Sequence, residues 1–291
     1  MNKPLVTVII PTYNRAKTIE RSINSVLSQS YSNLELIVVD DGSSDNTKSV
    51  VENIDDSRVR YIWQNNSGAC AARNNGINNA RGEYIAFNDS DDTWKPNKLE
   101  KQLEVVTKTG ADVVFCKLSI PVKNGYKKLQ PEGINEGFVN FRKNSVAGIG
   151  TQTLLFKKKV LTKFRFDEEI PRFQDLEILI NIMNSRNYEL YCINESLLDD
   201  YKVSRDSISV NSNKLITALE ILERKYPDLK NISPALSRDI SGYFRFSSKI
   251  EIKNKNYFKA VKYEFKAIMY EERKKLLYPW ILLCDIVRFL K

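Results

Sequence analysis

Asp89, Asp91 and Asp92 place three carboxylates within four residues, broken only by Ser90. At that spacing the charges repel one another unless a cation lies between them, and a donor set made of oxygen alone suits a hard ion such as Mg²⁺ or Mn²⁺. The other reading is a solvated acidic turn. Asp40 and Asp41 form an earlier acidic pair, and Asp175 opens a run, QDLEILINIM, whose apolar residues Leu176, Leu179, Ile180 and Met183 have helical spacing. Asp175 is therefore either a helix cap or a carboxylate placed to accept a proton. Histidine is absent from all 291 residues. That excludes Ser-His-Asp and Cys-His nucleophiles and any histidine-ligated zinc, and leaves acid–base work to carboxylates, Lys, Tyr or water.

Four short apolar runs carry the earlier acidic and polar clusters. Leu5 to Ile10, Leu34 to Val39, Val59 to Trp63 and Tyr84 to Phe87 read as strands. Between them Ile19, Ile23, Val26 and Leu27 mark one helical face, Ser44, Asp45 and Thr47 can cap a helix carrying Val50 and Val51, and a further helix runs through Ala71 to Ala80. Strand alternating with helix implies a parallel sheet with right-handed crossovers, in which ligands bind beyond the carboxyl ends of the strands. Those ends carry Thr12 and Asn14, Asp40 and Asp41, Asn66, and Asp89 with Asp91.

Beyond Pro96, a helix over Asn97 to Thr109 buries Leu99, Leu103 and Val106, and Ala111 to Cys116 reads as a strand. Residues 121–150 have no clear periodicity and read as a loop over the active-site edge. Gln152 to Phe156 is a further expected strand. Trp94 either stacks on a bound ligand or packs behind the acidic loop. From Lys214 the chain reads as helices. Leu215, Leu219 and Leu222 mark one, Phe258, Val261, Phe265, Ile268 and Met269 the apolar face of another, and Leu276 to Leu290 a last one with Trp280 among basic residues.

In order, VTVIIPTYNR, LIVVDDGSSDNT, NNSGACAARNNGI and GEYIAFNDSDDTWKPNKLEKQ resemble the nucleotide-binding half of family 2 glycosyltransferases. The resemblance covers roughly residues 5–200 and implies the GT-A fold: a Rossmann-like, mostly parallel α/β sheet sandwiched by helices, followed here by a C-terminal helical extension. It implies a nucleotide-diphosphate sugar donor, a UDP-sugar first, a divalent Mn²⁺ or Mg²⁺, and transfer with inversion. By similarity Asp41, with the backbone around Pro11, Thr12 and Tyr13, reads the base edge. Asn66, Arg73 and Ser90 lie in the donor shell, Arg73 toward the diphosphate. Asp89 holds the ribose or a metal-bound water, and Asp91 ligates the metal. Asp40 is expected to be structural, because adjacent residues of an extended chain point in different directions. Asp175 matches the family's catalytic base, although Gln174-Asp175 stands where Glu-Asp is usual. A rival resemblance, of IAFNDSDDT to the D-x-D-x-T nucleophile of haloacid-dehalogenase-like phosphatases, leaves PTYN, DDGS and ARNNG unexplained. A catalytically silent nucleotide-sugar-binding partner is the non-enzymatic alternative.

The formal charge of +9 is unevenly placed: residues 1–213 hold 28 Lys/Arg against 27 Asp/Glu, and residues 214–291 hold 17 against 9. This suggests a near-neutral catalytic domain over 1–213, with its nucleotide half to about 117 and its acceptor half over 118–213, then a basic helical region over 214–291. Arg205 and Ser207 either reach the diphosphate or belong to a polar linker. The region 273–291 is expected to meet a membrane surface or a neighbouring subunit, which includes a second copy of the chain. No signal peptide or membrane span is apparent, and Cys70, Cys116, Cys192 and Cys284 have no C-x-x-C pairing. The expected setting is cytoplasmic, peripheral on the inner membrane face, with a glycan or lipid-linked acceptor as partner and no nucleic acid.

Overall fold

Val6–Thr12 (β1) and Leu34–Asp40 (β2) are buried at every one of their seven positions, as expected of strands covered on both faces. The computed structural model describes residues 3–121, 127–140, 143–200 and 212–271. The chain divides into two compact units. Met1–Val139, Gly148–Glu169 and Gln174–Ser204 form the first; Asn140–Ala147, Ile170–Phe173 and Arg205–Lys291 form the second.

In the first unit β1 pairs in parallel with β2 and with Tyr84–Phe87 (β4), and β2 with Val59–Trp63 (β3), giving the order β3-β2-β1-β4. Thr12 is in register with Asp40, and Asp40 with Trp63, so the polar ends of three strands finish level. Leu154–Lys157 (β9) runs antiparallel to both β4 and Val113–Pro121 (β6). Leu190–Asp199 (β10) then adds in parallel to β6, and the two-residue strand Thr93–Trp94 (β5) closes the edge against β10.

Alternation along β1 divides the core. Val6, Val8 and Ile10 face the cluster built with helix Ile19–Leu27 (α1), Thr47–Glu52 (α2) and Lys98–Thr109 (α4). Ile9 faces Ala69–Asn79 (α3), where a Cβ on Gly76 would lie 2.5 Å from Ile9 Cγ2. Only glycine lets α3 approach β1 this closely, and that approach brings the helix's first turns to the strand ends.

Several expectations change. Residues 121–150 are not one loop: β6 continues to Pro121, Lys127–Gln130 (β7) pairs with it, and Gly137–Phe138 (β8) pairs with β10. Asn140–Ala147 belongs to the second unit, where Ser233 Oγ donates to the Asn144 carbonyl at 3.4 Å. The expected strand over 152–156 begins as a 3-10 turn at Thr151–Thr153 before β9. Strand β10 escaped notice because Asn194, Glu195 and Ser196 interrupt its apolar pattern, at the place where its pairing with β6 slips register twice.

The remaining helices of the first unit are Lys158–Lys163 (α5) and Gln174–Ser185 (α6). The second unit is helical: Ser212–Lys225 (α7), Leu229–Ile232 (α8), Pro234–Lys253 (α9) and Tyr257–Met269 (α10). Phe173 packs its ring 4.7 Å from that of Tyr243 on α9. The expected apolar face of α10 is corrected: Ala260, Tyr263, Glu264, Ala267 and Ile268 are buried, whereas Phe258, Phe265 and Met269 are exposed. Arg205, Ser207, Cys284 and the helix expected over 276–290 lie outside the described residues. Among the described residues no helix is long and apolar enough to cross a membrane.

Candidate active site

The segment after β1 is stapled to the segment after β2. Asn14, at φ +52°, accepts from the Ser44 N–H through Oδ1 and donates its own N–H to Ser43 Oγ, each at 2.8 Å. Arg15 N–H donates to Thr47 Oγ1 at 2.8 Å. Pro11 and Thr12 are buried at this edge, while Tyr13 is half exposed. Thr12 Oγ1 is buried without a hydrogen-bond partner among the described residues.

The adjacent aspartates do different work. Asp40 is fully buried and accepts from Tyr61 Oη at 2.7 Å and Ser43 N–H at 2.8 Å, the structural part expected of it. Burial and the Asp40 charge push the Tyr61 hydroxyl pKa up. Asp41 accepts from Gln64 Nε2 (2.7 Å), Ser67 N–H (2.9 Å) and Gly68 N–H (2.8 Å). It therefore shapes the loop that carries exposed Asn66 and sets the start of α3.

One turn into α3, Arg73 is buried and donates through Nη2 to Asp89 Oδ1 at 3.2 Å. Its guanidinium carbon stands 5.5 Å from the centre of the Phe166 ring, and its Nε and Nη1 are buried with no hydrogen-bond partner among the described residues. Buried donors left unpaired are costly, so their persistence points to a polar ligand that completes the site.

Helix α1 clamps the acidic loop from the other side. Ser22 Oγ donates to the Asp89 carbonyl at 2.9 Å and accepts from Asn88 Nδ2 at 3.0 Å. Arg21 Nη2 donates to the Asp91 carbonyl at 2.7 Å, and the Trp94 N–H donates to Ser25 Oγ at 3.1 Å. Sequence reasoning missed these residues, although a fully buried serine on an apolar helix face requires a partner and was a usable signal. Ser90 is buried. Trp94 is buried too, with the ammonium of fully buried Lys98 3.8 Å from its ring centre, which settles it as core.

Burial, and next the charge of Asp89, hold the Asp91 carboxyl above the usual carboxylate range; Arg15 pulls it down and Asp200 pushes it up. Arg15 and Asp200 were not foreseen here. Among the described residues no three Asp, Glu or Cys side chains are grouped to hold a metal ion. Asp91 and Asp89 are two hard oxygen donors, the number that a Mg²⁺-type ion would take from protein when substrate phosphates fill the rest.

Asp175 is the second residue of α6, and its Oδ1 accepts from the Leu176 N–H at 2.8 Å. Burial raises its pKa and the Asp89 charge adds to this, against the Leu176 bond and the Arg73 cation. Asp175, Arg73 and Asp89 thus share one electrostatic neighbourhood, although Asp175 stands far from the others in sequence. Glu177, one turn into α6 and buried, acts on the Cys70 thiol and was also missed.

The chain is similar to known proteins along most of its length. A family model, Glycosyl transferase family 2, matches residues 7–166. The putative teichuronic acid biosynthesis glycosyltransferase TuaG of Bacillus subtilis is 34% identical over 219 residues, covering 73% of this chain and 84% of that protein. The Escherichia coli UDP-Glc:alpha-D-GlcNAc-diphosphoundecaprenol beta-1,3-glucosyltransferase WfgD is 36% identical over 218 residues, covering 74% and 83%. The crystal structure of S. aureus TarS 1-349 in complex with UDP superposes with a TM-score of 0.60 at 19% identity, over 90% of this chain and 88% of that one. That likeness shows the GT-A fold. The phosphatase and silent-partner readings lapse, because the matched region takes in the acidic loop and all four motifs: the chain is a glycosyltransferase and belongs to glycosyl transferase family 2.

Proposed function

We propose that this glycosyltransferase moves one sugar from a UDP-sugar to an acceptor hydroxyl with inversion, using Mg²⁺ or Mn²⁺. The observation that carries the reading is Arg73, a buried cation with two unpartnered donors beside Asp89 and in the field of Asp175. A diphosphate is the anion that such a guanidinium suits, through charge-assisted hydrogen bonds. Asp41 and the backbone of Pro11, Thr12 and Tyr13 meet the base, with Asn66 and Ser90 in the same shell; Asp89 meets the ribose or a metal-bound water.

Asp91, aided by Asp89, fits the divalent ion: both are hard oxygen donors, and a cation offsets the burial and the Asp89 repulsion that together raise Asp91. When bound, that ion supplies positive charge to the departing diphosphate. Asp175 takes the proton from the acceptor hydroxyl as its oxygen bonds to the anomeric carbon and the carbon–oxygen bond to the diphosphate breaks. A single displacement inverts the centre. A carboxylate with a raised pKa is the stronger base for this step.

The acceptor is a glycan or lipid-linked sugar of bacterial surface polysaccharide synthesis, handled at the cytoplasmic face of the membrane. Support comes from the relatives: WfgD is named for UDP-Glc and a diphosphoundecaprenol-linked acceptor, TuaG for teichuronic acid biosynthesis. The test is a panel of nucleotide-sugars with Mn²⁺ or Mg²⁺, read as free nucleotide with and without lipid-linked acceptors. Slow, metal-dependent UDP release that an acceptor accelerates is expected. Equal release with and without metal would remove the metal from the reading.

A further inference from the structure

Helix α10 turns a row of large apolar side chains away from its own core. Phe258 is 87% exposed, Phe265 47% and Met269 39%. At about 100° per residue these three and Lys262 fall within an arc of about 60°, opposite buried Ala260, Tyr263, Glu264 and Ala267. Single exposed apolar residues are ordinary, but three aligned on one helix face are not scattered. Tyr257, in the first turn, is half exposed as well.

The stretch leading into this row is basic, while on α7 Glu220 and Glu223 pair with Lys262 and Lys266 beside it. Residues 246–263 contain five lysines, Lys249, Lys253, Lys255, Lys259 and Lys262, and one acid, Glu251, which is buried and accepts from Asn256 Nδ2 at 2.8 Å. Lys249, Lys253, Lys255 and Lys259 are exposed and form no ion pair among the described residues. Lys262 lies 3.8 Å from Glu220 on α7. A second copy docked face to face here would bring like charges together, whereas an anionic surface would pair with them.

We propose that the outer face of α10 docks on an anionic lipid surface. Phe258, Phe265 and Met269 enter the boundary between headgroups and acyl chains, and Lys255, Lys259 and Lys262 meet the phosphates. Helix α10 belongs to the second unit and shares no residue with the donor site of the first, so the proposal's failure and the failure of the transfer reading are distinguishable.

The test uses the full chain, sedimented with vesicles of phosphatidylcholine alone or mixed with phosphatidylglycerol. Binding only to the mixed vesicles, weakened by added salt, is expected. A Phe258→Ser, Phe265→Ser double variant changes side chains that already face solvent; it should bind about tenfold or more weakly, while UDP release without vesicles stays unchanged. Lys255→Gln with Lys259→Gln should weaken binding and flatten its salt dependence. Equal binding by the serine variant and the parent, or no binding to mixed vesicles, overturns the proposal. So does a dimer that the serine variant converts to monomer without vesicle binding, since a second copy would then be the occupant.

Discussion

Arg73 Nη2 meets Asp89 Oδ1 at 3.2 Å, joining a side chain that is 8% exposed to one that is 33% exposed. The contact exists because Gly76, on the same helix, lets α3 lie against Ile9 of β1. Helix and strand end are therefore locked in register before any ligand arrives.

Replacing Arg73 should weaken the donor more than it weakens the fold. Charge-assisted bonds contribute about 1.5–3 kcal/mol each, so the loss of even one of them in Arg73→Met should cost at least about 10- to 100-fold in donor affinity. Arg73→Lys keeps the charge but not the planar fork and should fall between. Donor titration by calorimetry checks this; unchanged affinity in Arg73→Met would remove Arg73 from the donor shell.

The raised Asp175 carboxyl has a stability consequence of definite sign. The folded chain holds that proton more tightly than the unfolded chain, whose Asp titrates near 3.8. From that pH up to the raised value, stability falls as pH rises, and above it the loss is constant. Asp175→Asn should therefore melt above the parent at about pH 7.5, by about 2–4 °C for each kcal/mol recovered, with the gap closing toward about pH 4. Melting curves of the metal-free proteins at both pH values read it. A variant that melts below the parent at the higher pH would contradict the burial cost.

Lys98 gives the opposite slope. Burial lowers its ammonium from 10.5 to about 8, so the folded chain releases the proton first. Stability should rise with pH across that window, and Lys98→Met should lack the rise. The difference in urea midpoints between parent and variant, taken at about pH 7.5 and about pH 9.5, reports it. A difference that does not change with pH would mean that Lys98 is not titrating there.

The strand-helix order of the first ninety residues was legible because β1, β2 and β4 are short apolar runs bounded by polar clusters. The placement of Asp40, Asp41, Asp89 and Asp91 at strand ends followed from it. What stayed hidden depends on distant pairing. Strand β10 carries its bulges on polar residues, β7 begins with two lysines, and β9 reverses direction, which periodicity does not encode. Arg15, Arg21 and Asp200 reach the acidic loop only after folding. On α10, aromatic residues at helical spacing suggested a core face, yet small Ala260 and Ala267 pack inward, because close helix contact favours small side chains.

The account rests on Asp175 as the base and Asp91 on the donor side, and one paired measurement addresses both. Transfer rate and donor affinity are measured for Asp175→Asn and Asp91→Asn with and without Mn²⁺. Asp175→Asn should keep donor affinity and lose transfer by about 10²-fold or more, while Asp91→Asn should lose the metal-dependent part of donor binding. Full transfer by Asp175→Asn, with its affinity intact, would contradict the central claim.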